Sequence, residues 1–149
     1  MILRVATFAE LDTRTLYALL RLRTDVFVVE QHCAYPELDG RDLEPGTRHV
    51  WLESEEPDRD AAEPYAYLRV LREPDGTARI GRVCTAEKAR SSGLQARLMS
   101  TALDLIGDQT PCVLDAQTQL VGFYEGFGFV ASGPGFVEDG IEHIPMRRP

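Results

Sequence analysis

The sequence predicts a mixed α/β (α+β) fold, because strand-like and helix-like segments alternate and hairpin-like turns occur early and late in the chain. The most informative stretch is residues 79–99. Strand formers continue to Thr85, a polar elbow follows at residues 87–92, and apolar residues then recur every three or four positions from Leu94. This order predicts a strand, a short turn and a helix. With 149 residues, we expect one domain spanning residues 1–149.

The other elements follow from local patterns. Strands are predicted over residues 2–8, 48–53, 65–72, 79–85, 112–117, 127–131 and 141–146. Asp12 or Thr13 can cap a helix that ends near residues 29–31, and a short helix is predicted over residues 119–126. Residues 32–47 are rich in Pro, Gly and Asp, and so long a loop is often functional. The charged segment 53–64 is expected to be a solvated hairpin loop.

Composition and charge narrow the classes of function. The net charge of −8 argues against nucleic acid as a partner and favours a cationic substrate such as an amine. The chain has no apolar run of membrane-spanning length and no signal peptide, so we expect no membrane partner. Cys33, Cys84 and Cys112 have no metal-like spacing, and we expect free thiols, no metal, and a reducing, cytoplasmic location.

The polar elbow is a candidate anion site. The first backbone N–H groups of a helix have no partner within it, and together with the helix dipole they attract a phosphate or pyrophosphate. Gly93 allows close approach, Ser91 and Ser92 offer hydroxyls, and Arg90 adds positive charge. The alternative is an ordinary helix start whose serines cap their own backbone.

Two stretches resemble a known family. The run from Arg90 to Gln95, RSSGLQ, is similar to the pyrophosphate loop of the GNAT acetyl-CoA-dependent N-acetyltransferases, Gln/Arg-x-x-Gly-x-Gly/Ala. Arg90 and Gly93 match, whereas Gln95 stands where Gly or Ala is expected and brings a side chain into space that glycine leaves empty. The N-terminal section LYALLRLRTDVFVVEQHCAYPELDGRD, with TRHV, IGRV and AQ before FYEGFGF, resembles the ElaA-like branch of that superfamily.

The resemblance implies a fold and an activity. The fold is a mostly antiparallel twisted sheet with about four flanking helices, whose two central parallel strands, residues 80–86 and 112–117, splay apart around the cofactor. The activity is acetyl transfer from acetyl-CoA to a primary amine by direct attack, with no metal. A non-catalytic acyl-CoA-binding or regulatory module is the alternative, and a structural domain without a cofactor is a third. The late strands could pair in a homodimer.

The resemblance also assigns site residues. The tyrosine of GFYEGFGF, Tyr124, matches the general acid that many GNAT enzymes place near the cofactor sulfur, and a phenol stays protonated at neutral pH. Alternatively, Tyr124 is a core aromatic residue. For the base, the residues themselves leave three alternatives open: His49, Glu30, or a water chain with no single base. The residues expected to contact the cofactor are Val83, Cys84, Thr85, Arg90, Ser91, Ser92, Gly93, Leu94, Gln95, Ala96, Gln117 and Tyr124.

Overall fold

The computed structural model describes residues 1–55 and 63–149, so the centre of the segment predicted as a solvated hairpin loop, residues 56–62, lies outside the described residues. The strands are β1 (Ile2–Ala6), β2 (Arg48–Glu53), β3 (Pro64–Arg72), β4 (Ala78–Thr85), β5 (Cys112–Gln117), β6 (Val130–Ala131), β7 (Phe136–Glu138) and β8 (Ile141–Arg148). The α-helices are α1 (Thr13–Thr24), α2 (Leu94–Ile106) and α3 (Val121–Glu125).

All of these strands belong to one sheet, in the order β1-β2-β3-β4-β5-β8-β6, with β7 also paired to β8. Every neighbouring pair is antiparallel except β4 and β5. The predicted mixed, mostly antiparallel fold class is therefore confirmed. Three α-helices and several short turns flank the sheet in the described part of the chain, against the expectation of about four helices.

The first helix begins at a predicted cap residue, but its last residues adopt a different helix type from the one predicted. Asp12 caps α1 by accepting a hydrogen bond from the backbone N–H of Thr15 at 2.7 Å. After Thr24 the helix continues as a π-helical segment, Asp25–Glu30. The predicted end near residues 29–31 is confirmed, but the change of helix type was not predicted. A π segment rotates the following side chains relative to an α-helix, and Glu30 is at its end.

Short strands near the C-terminus are where the sequence was least informative. The strand predicted over residues 127–131 is reduced to the two residues of β6. The strand β7 was missed, because its three residues are all exposed and show no buried face. Its pairing with β8 instead forms a hairpin whose turn, at Asp139 and Gly140, has positive φ angles of 51° and 78°.

The centre of the sheet opens between β4 and β5. These parallel strands pair only at Ala78 with Cys112 and Arg79 with Val113. Farther along, β4 contains a bulge, because Cys84 lies opposite Tyr67 while Gly81 lies opposite Arg69, leaving one extra residue on β4. Arg82, within the bulge, has a φ of 52°. The expected splay is confirmed, and it leaves backbone groups of both strands facing a gap.

Different helices cover the two faces of the sheet. On one face, Leu98, Met99 and Ala102 of α2 are fully buried in a cluster that includes strand residues such as Leu68. The second cluster, which contains Leu19 of α1, packs against Trp51 and Tyr67 on the other face. Successive strand residues point to opposite faces, so β3 contributes to both clusters.

A buried ionic network attaches the loop of residues 31–47 to the α1 face. Arg23 of α1 forms hydrogen bonds to both carboxylate oxygens of Glu37 (3.1 and 3.2 Å) and of Asp42 (2.7 and 3.1 Å). Arg69 of β3 pairs with Asp39 at 2.6 Å and with Asp42 at 3.1 Å. These bonds connect a helix, a strand and the loop, so the loop predicted to be functional is held in place by charge pairs.

A third guanidinium completes this network. Arg82, in the bulge of β4, donates from Nε to the Glu37 carboxylate at 2.5 Å and from Nη2 to the Glu37 carbonyl at 2.9 Å. The network therefore matches three arginines with three carboxylates. Because each buried charge has an opposite partner, the loop is stable in this position without a net buried charge.

We expect Arg23→Met to lower the free energy of unfolding by about 3–5 kcal/mol, because it leaves Glu37 and Asp42 buried without their main partner. Arg23 is only 1% exposed. Urea denaturation followed by circular dichroism measures the change. The control is Arg21→Met on the same helix, where an exposed side chain lies 4.0 Å from Asp25 and should change stability by about 0.5 kcal/mol or less. Equal losses in the two variants would contradict the role of the network.

Candidate active site

A cavity of about 590 Å³ occupies the gap between β4 and β5. Residues from the π-helical segment, the loop 31–47, β4, β5, the elbow before α2, α3 and the β7–β8 hairpin line it. Its lining contains the predicted site residues Glu30, Val83, Cys84, Thr85, Arg90, Gln95, Gln117 and Tyr124. The structure thus brings together residues that are up to 94 positions apart in the chain, from Glu30 to Tyr124.

The elbow before α2 has the shape of an anion site. Ser91 and Gly93 both have left-handed backbone conformations, with φ angles of 66° and 76°. α2 begins at Leu94 without a side-chain cap. The N–H groups of Leu94, Gln95 and Ala96 lie in the first turn, where no helical carbonyl precedes them. One predicted detail differs: the hydroxyl of Ser92 donates to the carbonyl of Ala89, so that proton is already used.

Arg90 links this elbow to the end of the π-helical segment. Its Nη2 donates to Glu30 Oε2 at 2.6 Å, and its Nε donates to the Thr85 carbonyl at 3.1 Å. Both side chains of this ion pair are partly exposed. Arg90, the candidate phosphate-binding residue, and Glu30, a candidate base, are therefore in direct contact. The Arg90 guanidinium lies at the cavity beside the N-terminus of α2.

Gln95 turns toward the sheet rather than toward the elbow. Its amide nitrogen donates to the carbonyl of Cys84 at 2.5 Å and to that of Tyr67 at 3.3 Å. These bonds connect the first turn of α2 to β3 and β4 where Cys84 and Tyr67 lie opposite each other. The residue that departs from the family pattern therefore has a structural role at this junction. Its carbonyl oxygen is buried and has no hydrogen-bond partner in residues 1–55 and 63–149.

Cys84 is a poor candidate for a nucleophile. Its side chain lies in the cluster under α1, and burial raises the pKa of its thiol. The thiolate, which is the reactive form, is therefore suppressed. All three cysteines are free, as the sequence predicted.

Tyr124 is fixed at the cavity by neighbouring aromatic rings. It packs edge-on against Phe123 and Phe129, with ring centroids 5.2 and 6.3 Å away. The residue is 4% exposed, and burial raises the pKa of its phenol to about 12. In the described part of the chain, the structure gives its hydroxyl no hydrogen-bond partner. The phenol is therefore protonated at neutral pH and available to a ligand.

The structure does not bring His49 to the cavity. It lies on β2, is 2% exposed, and uses both ring nitrogens inside the buried network. Nε2 is 3.2 Å from the Asp42 carbonyl, which can only accept, so Nδ1 accepts from the Tyr67 hydroxyl at 2.7 Å. Burial lowers the pKa of His49. The expectation of His49 as a base is corrected accordingly: a neutral imidazole with no free nitrogen positions the loop.

Comparison with known proteins agrees with this geometry. Residues 47–148 match the family model of the acetyltransferase (GNAT) domain. The chain belongs to the GNAT superfamily, in its ElaA-like branch. ElaA of Escherichia coli is 40% identical over 94% of this chain and 91% of its own length, and its crystal structure superposes with a TM-score of 0.88 at 99% coverage of both chains.

Two further relatives extend this result. The UPF0039 protein Rv2851c of Mycobacterium tuberculosis is 50% identical over 94% of this chain and 88% of its own length. The crystal structure of an acyl-CoA N-acyltransferase from Pseudomonas aeruginosa is 42% identical, covers 100% of both chains and has a TM-score of 0.89. The family resemblance inferred from the elbow and the N-terminal section is therefore confirmed.

Several residues that face the GNAT cavity escaped the sequence analysis. His143 lines it from β8, Asp139 from the β7–β8 turn and Arg69 from β3. A histidine within the late strand β8 was the one available signal, but its orientation depends on the register with β5. That register places His143 opposite Gln117.

Within residues 1–55 and 63–149, no group of three or more His, Cys, Asp or Glu side chains is arranged to hold a metal ion. The same residues contain no helix long and apolar enough to cross a bilayer.

We expect the free energy of unfolding to fall as the pH decreases below about 7, because the pKa of His49 is lower in the folded protein than the value of about 6.5 in an unfolded chain. Between the pKa values of His49 in the folded protein and in the unfolded chain, the unfolded chain binds the proton and the folded protein does not. Stability therefore rises with pH, with a slope of at most ~1.4 kcal/mol per pH unit.

His49→Gln should flatten this dependence when urea denaturation is repeated across the pH range. His32→Gln, which changes an exposed histidine, is the matched control and should retain the slope. An unchanged slope in His49→Gln would show that another group is responsible.

Proposed function

We propose that this GNAT protein transfers an acetyl group from acetyl-CoA to a primary amine by direct attack of the amine on the thioester. The observation that carries the proposal is the cavity in the β4–β5 gap, which is lined both by Arg90 of the elbow before α2 and by Tyr124. Such a cavity can take a long ligand with an anionic end and a reactive end. The family membership supports an acyl-CoA as that ligand.

The elbow is proposed to bind the pyrophosphate of the donor. Ser91, Ser92 and Gly93 lead into the first turn of α2, and the N–H groups of Leu94, Gln95 and Ala96 supply donors. Arg90 adds a charge-assisted contact. Because Arg90 is paired with Glu30 in this structure, the guanidinium has to exchange that carboxylate for a phosphate oxygen.

The edge of β4 is proposed to hold the pantetheine arm. Beyond Arg79, the backbone of β4 faces the gap rather than β5. N–H and C=O groups of Val83, Cys84 and Thr85 can pair with the amides of the arm, much as a strand adds to a sheet edge. One backbone N–H there would polarise the thioester carbonyl. Gln117 lines the opposite side of the gap from β5.

Tyr124 is proposed to protonate the departing sulfur. The neutral amine attacks the thioester carbon, a C–N bond forms, and the C–S bond breaks. The phenol gives its proton to sulfur and recovers one from the nitrogen that becomes the amide. A phenol with a pKa of about 12 is a weak acid toward a thiolate, so the two transfers are expected to be concerted and to form no free phenolate.

Glu30 remains a candidate for the group that deprotonates the amine, since it lines the cavity. Its carboxylate is paired with Arg90 at 2.6 Å in this structure, so it is engaged with a guanidinium rather than with an acceptor amine. It becomes available only when Arg90 turns to the donor phosphates.

The direct test is titration with acetyl-CoA by calorimetry, followed by thiol release in the presence of putrescine, glucosamine, lysine and a short peptide. Binding and thiol release support the transferase. Binding without transfer to any amine would favour the non-catalytic acyl-CoA-binding module, and absence of binding would remove both.

We expect Arg90→Met to weaken acetyl-CoA binding by about 10-fold or more, since it removes a charge-assisted contact and leaves Glu30 unpaired near the phosphates. Arg97→Met is the matched control, because it removes the same charge from an exposed site on α2. Both affinities are measured by calorimetry at one ionic strength, because charge effects depend on salt. Equal weakening in both variants would show a general effect of net charge.

We expect Tyr124→Phe to lower kcat by about 100-fold or more while leaving the affinity for acetyl-CoA nearly unchanged, because it removes the proton but keeps the ring. Thiol release measures the rate. Tyr17→Phe alters a largely exposed tyrosine on α1 and should have no effect. Full activity in Tyr124→Phe would eliminate the phenol as the acid.

A further inference from the structure

His143 has a ring nitrogen that is prepared to accept a proton. Its Nδ1 lies 2.8 Å from the carbonyl of Ile141. A carbonyl can only accept, so Nδ1 carries the proton in this bond and Nε2 keeps its lone pair. In the described part of the chain the structure gives Nε2 no hydrogen-bond partner. The ring also stacks on Phe136, with a centroid distance of 5.5 Å and an angle of 15°, which fixes its plane.

This imidazole lines the same cavity as Tyr124 but from the other face of the sheet. His143 lies opposite Gln117 in the β5–β8 pairing, so their side chains share a face. Alternation along β5 places Gln117 on the face opposite Leu114 and Ala116, which belong to the cluster under α2. Tyr124 belongs to that α2 cluster. The gap between the strands therefore connects a buried acid on one side with a free imidazole nitrogen on the other.

We propose that His143 is a catalytic residue, the base that takes a proton from the ammonium form of the acceptor, an inference that rests on the proposed transferase function. The ammonium gives one proton to Nε2, which leaves a neutral amine and an imidazolium. The amine then attacks the thioester as described for Tyr124, and the imidazolium releases its proton to solvent. The net reaction converts an ammonium and a thioester into an amide, a thiol and one proton.

The surroundings of His143 favour this role over the other candidates. Imidazole exchanges protons near neutral pH. Asp115 on β5, Glu138 on β7 and Asp139 in the following turn line the same cavity, and their negative charges attract an ammonium. Glu142 is adjacent on β8 but points to the other face.

The charges on neighbouring elements are partly compensated. Arg79 of β4 is 3.3 Å from Asp115, so that carboxylate is already paired. Glu30 is paired with Arg90, and His49 uses both nitrogens. In the described structure, Glu30 is at the cavity as part of an ion pair, His49 lies outside the cavity lining, and His143 lines the cavity with a ring nitrogen that has no hydrogen-bond partner.

The test uses the amine from the panel that gives the fastest thiol release with the unaltered protein. We expect His143→Gln to lower kcat/KM for that amine about 100-fold near neutral pH, with the dissociation constant of acetyl-CoA unchanged. The logarithm of kcat/KM of the variant should rise with a slope of one as the pH approaches the pKa of the amine, because the free amine then no longer needs a base. The unaltered protein should show a shallower rise.

His32→Gln is the matched control, because it makes the same change at an exposed histidine outside the cavity lining, and it should keep both the rate and the pH profile. A His143→Gln variant with an unaltered rate, or with a lower rate and the pH profile of the unaltered protein, would overturn the base while leaving the transferase in place. Absence of thiol release from the unaltered protein would instead count against the transferase, and with it the base.

A second measurement does not depend on the folding of a variant. In the unaltered protein labelled with ¹⁵N-histidine, the nitrogen chemical shifts of His143 should report a protonated Nδ1 and an unprotonated Nε2 at slightly alkaline pH. Protonation of Nε2 in the neutral ring would overturn the proposal.

Discussion

The architecture of the site depends on the short pairing between the parallel strands β4 and β5. Two residue pairs hold these strands together at one end, and the bulge at Arg82 bends β4 before it reaches the elbow. A continuous ladder would have used the backbone groups of both strands and closed the sheet. Because the ladder stops, the sheet has an internal edge, and the cavity, the start of α2 and Tyr124 all lie along it.

The gap in the middle of the sheet lacks interstrand hydrogen bonds. Buried charge pairs and amide contacts connect the elements around it instead. Arg23, Arg69 and Arg82 attach the loop 31–47 to α1, β3 and β4, so three elements around the opening are connected by the same carboxylates. Gln95 adds a contact from α2 to the carbonyls of Tyr67 and Cys84. Networks of this kind are costly when incomplete, and this one is balanced in charge. The loop, α1, β3 and β4 around the cavity are therefore held together by charge pairs.

The two histidines in this part of the molecule show that residue type alone does not assign a role. His49 and His143 both lie on strands, and both have one nitrogen directed at a backbone carbonyl. The second nitrogen of His49 accepts from Tyr67, whereas that of His143 faces the cavity. The difference arises from the strand on which each residue lies and from which face it occupies. A histidine chosen from the sequence for its position after the loop proved to be a structural one.

Elements whose signals are local could be predicted from the amino-acid sequence alone. The cap at Asp12, the apolar stripe of α2 and the elbow with Gly93 each depend on residues within a few positions of one another, and each was predicted. The tertiary structure decided everything that depends on register and on distant contacts: the π-helical end of α1, the strand β7, the inward turn of Gln95 and the pairing of Arg90 with Glu30. The same holds for His143, because a one-residue shift of β8 against β5 would move it to the opposite face. Side-chain direction in a strand is set by its pairing partner, which lies far away in the chain, and no local pattern carries that information.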